Sequence, residues 1–211
     1  MSAGLWIWLA AALAYLAFRL WYDGWRGPLT PQETAHFMRL MEGTPGAEHT
    51  DMGTMRAFLE ADDGKEFVMC NLVRLHQEPV AHPETGAPVS ARSMLQAYVA
   101  QFVKVLFLHG GHPVVAARKV GGYVDAWACE PDPGWTVSGL MRYRSRRDMM
   151  RLATHPRFLA AYPFKLVATA QTFSFPTQVV VAFNLGPRVS VFLLLALAAA
   201  LAHLARLVMI A

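Results

Sequence analysis

The sequence predicts an α+β domain held between two membrane-spanning helices, on three observations. Both ends are apolar: residues 5–20 read LWIWLAAALAYLAFRL and residues 189–207 read VSVFLLLALAAALAHLARL. Between Arg26 and Arg188 the composition is that of an ordinary globular domain. Within that stretch, apolar runs of strand length alternate with helix-period segments, in the order strand, helix, paired strands, helix, strand.

A helix needs about 20 apolar residues to cross the hydrocarbon core, and residues 4–25 and 187–209 both supply them. The first is not read as a cleaved signal, because it has no basic leader and no small-residue cleavage site. Trp6 and Trp8 near one of its ends, with Trp21, Tyr22 and Trp25 near the other, sit where interfacial aromatics sit. No Lys or Arg precedes this span, while Arg19 and Arg26 follow it. The positive-inside bias therefore places the N-terminus outside and the domain in the cytoplasm, at an inner or plasma membrane, and Arg188 before the second span agrees. His203 and Arg206, near the outer end of that span, run against this bias: they could snorkel, pair with another helix, or mark a last segment that is not a clean span. Alanines crowd both spans (Ala10, Ala11, Ala12 and Ala14; Ala198, Ala199, Ala200 and Ala202). They suit close helix packing and plain helix formation equally well.

Residues 28–64 read as a helical lid or linker. Thr30-Pro31-Gln32-Glu33 combines a capping box with proline at the first helical position, and the helix it opens is expected to run to Met41. A second short helix is expected over 54–61, ended by Asp62-Asp63-Gly64. Residues 65–178 form the domain proper. Residues 66–73, EFVMCNLV, lack period-2 polarity and predict a strand covered on both faces. Ser90 caps a long helix carrying Leu95, Tyr98, Phe102, Val105 and Leu106 at helical spacing, and Gly110-Gly111 stops it. Strands are expected at 112–118, 122–129 and 135–143, separated by glycine- and proline-rich turns. Ser145-Arg-Arg-Asp148 starts another helix, His155-Pro156 breaks and restarts it, and a last strand lies near 169–175.

This order predicts a ferredoxin-like βαββαβ arrangement with both helices on one sheet face. The strands carry apolar residues on both sides, so something must cover the other face. A second copy of the same sheet would do so, which predicts a homodimer.

Charge narrows the partners. The chain has 19 Lys+Arg against 15 Asp+Glu, and between Arg26 and Arg188 the balance is 17 to 14. Nucleic-acid binding needs a concentrated basic face and is not expected. The two cysteines, Cys70 and Cys129, fall in strand-like apolar runs and read as buried structural thiols rather than a disulfide or a reactive thiol.

The residues Val68-Met-Cys-Asn-Leu-Val-Arg74, Tyr98, His109-Gly-Gly111, Leu140-Met-Arg-Tyr-Arg-Ser-Arg-Arg-Asp148 and His155-Pro-Arg-Phe158 resemble the dimeric α+β barrel superfamily, and most closely its small uncharacterised families. The resemblance covers about 66–175 and implies a sheet-to-sheet dimer. That superfamily includes cofactor-independent oxygenases, muconolactone-type isomerases, haem peroxidases and domains without known activity, so it implies no single reaction. The spans and the 30–61 helices are additions to its usual pattern.

Several residues are candidates for chemistry. His109 and His112 flank the double glycine, where a pair of imidazoles can act as acid and base. Asn71 interrupts an apolar strand and is a candidate ligand contact beside Tyr98 and Tyr143. Arg144, Arg146 and Arg147, within a basic cluster that also holds Arg142 and Arg151, are candidates for lipid headgroups. The loop with His76, Glu78, His82 and Glu84 is too irregular to set metal geometry, so no metal and no cofactor are expected. The expectation is a membrane-anchored module that binds a small apolar molecule or organises a membrane complex. The alternative is a cofactor-independent oxygenase or isomerase acting on a hydrophobic, membrane-derived substrate.

Overall fold

The computed structural model describes residues 3–183 and 185–210. The chain divides into two compact units, one formed by the two ends and the other by residues 26–179.

The first unit pairs helix α1 (Ala3–Asp23) with helix α7 (Pro187–Ile210). Both are long and apolar enough to cross a membrane, and only 6% of either hydropathic stretch is buried, so neither is the core helix of a globular domain. They run antiparallel. Asp23, at the end of α1, accepts from Arg188, at the start of α7, at 2.6 Å, and also pairs with Arg19. At the opposite ends, Trp8 Nε1 donates to His203 Nδ1 at 3.1 Å. Gly4 lies so close to the His203 ring that a Cβ there would come within 2.6 Å of it. Of the options for His203, the observed one is pairing with another helix.

The second unit is a mixed α/β domain on a four-stranded antiparallel sheet in the order β4-β5-β1-β6. Its strands are β1 (Phe67–Leu75), β4 (His112–Arg118), β5 (Val137–Tyr143) and β6 (Thr169–Thr177), with a two-stranded ribbon, β2 (Val80–Ala81) and β3 (Pro88–Val89), in the loop after β1. Prolines fall only where a ladder tolerates them: Pro113 at a register shift in edge strand β4, and Pro176 in edge strand β6.

Helices α4 (Ala91–Leu108), α5 (Arg146–Ala153) and α6 (Pro156–Ala168) pack with this sheet. Each begins at a side-chain cap. Ser90 Oγ accepts from Ser93 N, Ser145 Oγ from Asp148 N, and His155 Nδ1 from Arg157 N, with Pro156 opening α6. Alternation along β1 sends Phe67, Met69, Asn71 and Val73 toward the helices, while Val68, Cys70 and Leu72 point to the other face.

Helices α2 (Pro31–Glu42) and α3 (Met52–Glu60) are part of this domain's core. Thr30 and Glu33 form the expected capping box. Phe37, Met38, Met41 and Leu59 are buried with Phe102, Leu106, Met150 and Leu152 in one cluster; burying each such side chain contributes about 1.5–3 kcal/mol. Asp63 and Gly64, just after α3, touch both ends of the domain. Gly64 abuts the backbone of Gly27, and Gln178 donates to Asp63 at 2.8 Å.

Two expectations are corrected. Residues 122–129 are irregular, not a strand. Ala128 adopts a left-handed φ of 47°, Trp127 donates to Asp125 within the turn, and extended pairing is broken. Cys129 is consequently exposed, and Cys70 is only half-buried, so the two are not a pair of buried thiols; both are free.

Candidate ligand cavity

A cavity of about 270 Å³ lies between the helical layer and the inward face of β1, β5 and β6. Its wall is mostly apolar: Met69, Val73, Leu95, Val99, Phe102, Val137, Met141, Met149, Leu152 and Phe158. Met41 at the end of α2 and Thr44, Gly46 and Thr50 in the loop after it close one side, while Thr172 and Ser174 form an exposed rim on β6. Binding sites for small molecules have this build, apolar walls with a few polar groups.

Of the three residues expected to contact a ligand, all line the cavity. Asn71 reaches it from β1, but its amide is committed: Nδ2 donates to the carbonyls of Met69 (3.0 Å) and Gly139 (3.1 Å), and Oδ1 accepts from Ser174 (2.7 Å). Its interruption of the apolar strand is therefore satisfied by the sheet itself. Tyr98 and Tyr143 are buried, and burial raises both phenols well above their ordinary range, so both stay protonated donors. Among the described residues no hydrogen bond engages either hydroxyl, nor that of Tyr162, whose ring edge lies against Gly46.

The histidines are elsewhere. Neither His109 nor His112 lines the cavity. His109 ends α4, and its ring meets that of His155 edge-on at 6.2 Å. Burial lowers its basicity, against the pull of Asp148, and its Nε2 is buried without a hydrogen-bond partner. His112 begins β4 with Nδ1 3.0 Å from the carbonyl of Pro113. Gly110 and Gly111 between them are required by the turn. Gly110 has φ +71°, and a Cβ on Gly111 would lie 2.6 Å from the carbonyl oxygen of Arg142.

The arginines expected to meet lipid headgroups are engaged inside the domain. Arg147 binds Glu33 and the carbonyls of Gly27 and Pro28. Arg146 pairs with Asp62, binds the carbonyl of Phe58 and covers that residue's ring at 4.3 Å. Arg144 holds Asp148 by two hydrogen bonds of 2.7 and 2.8 Å. Burial alone would raise the Asp148 carboxyl; Arg144 and the Ser145 hydroxyl outweigh it and hold it below the ordinary range. Each of these arginines is thus paired within the domain, Arg146 and Arg147 with acids from distant segments and Arg144 with Asp148 four residues on.

Lys165 is the residue that sequence reasoning missed. It lines the cavity from α6, with Nζ 5.5 Å from the centre of the Tyr162 ring and 5.9 Å from that of Tyr98. No carboxylate pairs with it among the described residues, and burial lowers its amine from the usual lysine value. A signal was present: Phe158, Ala161, Tyr162 and Lys165 fall at i, i+3, i+4 and i+7, which puts the lysine on the helix's apolar stripe.

No protein family matches the chain, and neither does any curated protein. Among solved structures, it is similar to a protein of unknown function from Rhodopseudomonas palustris, at 19% identity and a TM-score of 0.49, covering 62% of this chain and 92% of that one. The methylated form of that protein gives 20% identity and a TM-score of 0.50, covering 63% and 91%. The likeness is one of fold alone.

Proposed function

We propose that this chain is a membrane-anchored, homodimeric α+β barrel module that takes up a small apolar molecule without strong catalysis. The observation that carries this reading is the cavity, which among the described residues has apolar walls, three phenol hydroxyls without protein partners, and no imidazole. The imidazoles offered as acid and base of an oxygenase or isomerase, His109 and His112, lie off the cavity. The strand order β4-β5-β1-β6 supports a ferredoxin-like topology and, with it, the dimeric barrel. The sheet face away from the cavity supports the dimer. Phe173, Phe175 and Val115 are exposed there, and a second sheet packed on it would bury them. The apolar pair α1 and α7 supports the anchor, with the domain on the cytoplasmic side by the arginine bias.

Native mass spectrometry of the full chain released from detergent tests dimer and ligand together. The expected species is a dimer that carries added mass of a small organic molecule. A strict monomer would overturn the sheet pairing, and a dimer that takes up no apolar molecule when challenged would overturn the binding role. A cysteine placed in the 76–89 loop should resist membrane-impermeant labelling of intact cells; labelling there would reverse the orientation.

A further inference from the structure

Resting on the binding role just proposed, we infer that the cavity selects an apolar carboxylic acid, whose carboxylate pairs with Lys165 and accepts hydrogen bonds from the surrounding tyrosine hydroxyls. Among the described residues the wall contains one cationic side chain and no aspartate or glutamate. Elsewhere in the domain four arginines are answered by carboxylates: Arg147 by Glu33, Arg144 by Asp148, Arg142 by Glu66, Arg146 by Asp62. Lys165 has no such answer among the described residues, and its immediate neighbours are the rings of Tyr98 and Tyr162.

An ammonium held against aromatic faces keeps part of its solvation through cation–π attraction, but that is a weak substitute for an anion. Burial disfavours its charged form, as the lowered basicity of the amine shows, and an incoming carboxylate would reverse that effect. The hydroxyls of Tyr98, Tyr143 and Tyr162 are donors without acceptors among the described residues, and a carboxylate offers about four lone-pair sites to such donors. The charge count also sets the anion. One lysine suits a monoanion, whereas phosphate recognition favours arginine forks and arrays of backbone N–H groups, and neither lines this cavity. The rest of the wall accepts only hydrocarbon. The fitting occupant is thus an acid head on an apolar body.

Octanoate and octanol, matched in chain and differing in head, test this by calorimetry on the full chain in lipid nanodiscs, with empty nanodiscs as the blank. Wild type should bind octanoate at least tenfold more tightly than octanol. Lys165→Met keeps the volume and removes the charge, so it should lose that preference while octanol binding stays within about twofold, which also reports that the variant is folded. If Lys165→Met fails to fold, the wild-type comparison of acid against alcohol still decides. Equal binding of the two heads by wild type, or a preference for the acid that survives Lys165→Met, would overturn the inference and leave the binding role standing. Binding of neither probe would overturn both.

Discussion

Arg147 grips Glu33 through two parallel hydrogen bonds, Nε to Oε1 at 2.8 Å and a terminal nitrogen to Oε2 at 2.9 Å, across 114 residues of sequence. The same carboxylate caps α2 through the backbone N–H of Thr30 at 2.9 Å. One glutamate thus closes a helix start and attaches it to α5.

The pH dependence of this joint has a definite sign. The Arg147 hydrogen bonds, then the Thr30 N–H, hold the Glu33 carboxyl at about 2, against an ordinary 4.5. A carboxyl depressed in the folded state contributes stability above its unfolded value and loses it as pH falls through the folded one. The thermal midpoint should therefore drop between pH 4.5 and 2. Glu33→Gln should flatten part of that drop, and an unaltered profile in the variant would count against the assignment.

Arg147→Ala leaves Glu33 and the carbonyls of Gly27 and Pro28 without their donor. It should cost about 2–3 kcal/mol, read from the denaturant midpoint. Arg147→Lys should restore little, because an ammonium lacks the fork that reaches both carboxylate oxygens.

Two glycines should respond with opposite signs. Gly111→Ala drives a Cβ to 2.5 Å from Leu106 and 2.6 Å from the backbone oxygen of Arg142, and should destabilise by about 1–3 kcal/mol. At Gly139, in the interior of β5 and on the cavity wall, a Cβ meets only the flexible end of Met141 at 3.1 Å. Gly139→Ala should stabilise by about 0.5–1 kcal/mol while narrowing the cavity. Denaturant midpoints of the two variants check the pair.

Thiol labelling reads the sheet's outer face. Cys129 is exposed and should react quickly. Cys70 lies on that face between Leu140 and Phe175 and should react slowly in the proposed dimer. Phe175→Asp should accelerate Cys70 and yield monomer by light scattering. A persistent dimer with an unchanged Cys70 rate would place the subunit contact elsewhere.

Replacing Gly4 and His203 by cysteine, in a chain with Cys70→Ser and Cys129→Ser, should let a short bifunctional thiol reagent join the two within one chain, because Gly4 lies against the tip of the His203 ring. Non-reducing electrophoresis distinguishes this from a covalent dimer, which would mean that the helices pair between chains.

What the sequence discloses follows from the range of the physics involved. The caps at Thr30, Ser90, Ser145 and His155 were legible because a helix start is written within four residues. The two apolar ends were legible because their length alone is the signal. Arg146 and Arg147 find their partners, Asp62 and Glu33, far along the chain, where nothing local marks the pairing, whereas Arg144 pairs with Asp148 at a spacing the sequence does show. The strand expected at 122–129 failed because apolar content does not supply a neighbour to pair with. Asn71, Tyr98 and Tyr143 line one cavity. Lys165 was overlooked because a lysine on an amphipathic helix is ordinarily solvated, and only its register on the apolar stripe says otherwise.

The contact of Asp63 and Gly64 with both Gln178 and Gly27 has a consequence for the order of assembly. Asp23 and Arg188 are 165 residues apart in sequence, and closing so long a loop in an unfolded chain carries a large entropic cost. Once the intervening domain folds, its first and last residues meet at one turn, and the loop left to close shrinks to the few residues flanking them. Pairing of α1 with α7 is then thermodynamically linked to the folded domain: whatever stabilises that turn also favours closure of the helical hairpin, and loosening it would release both.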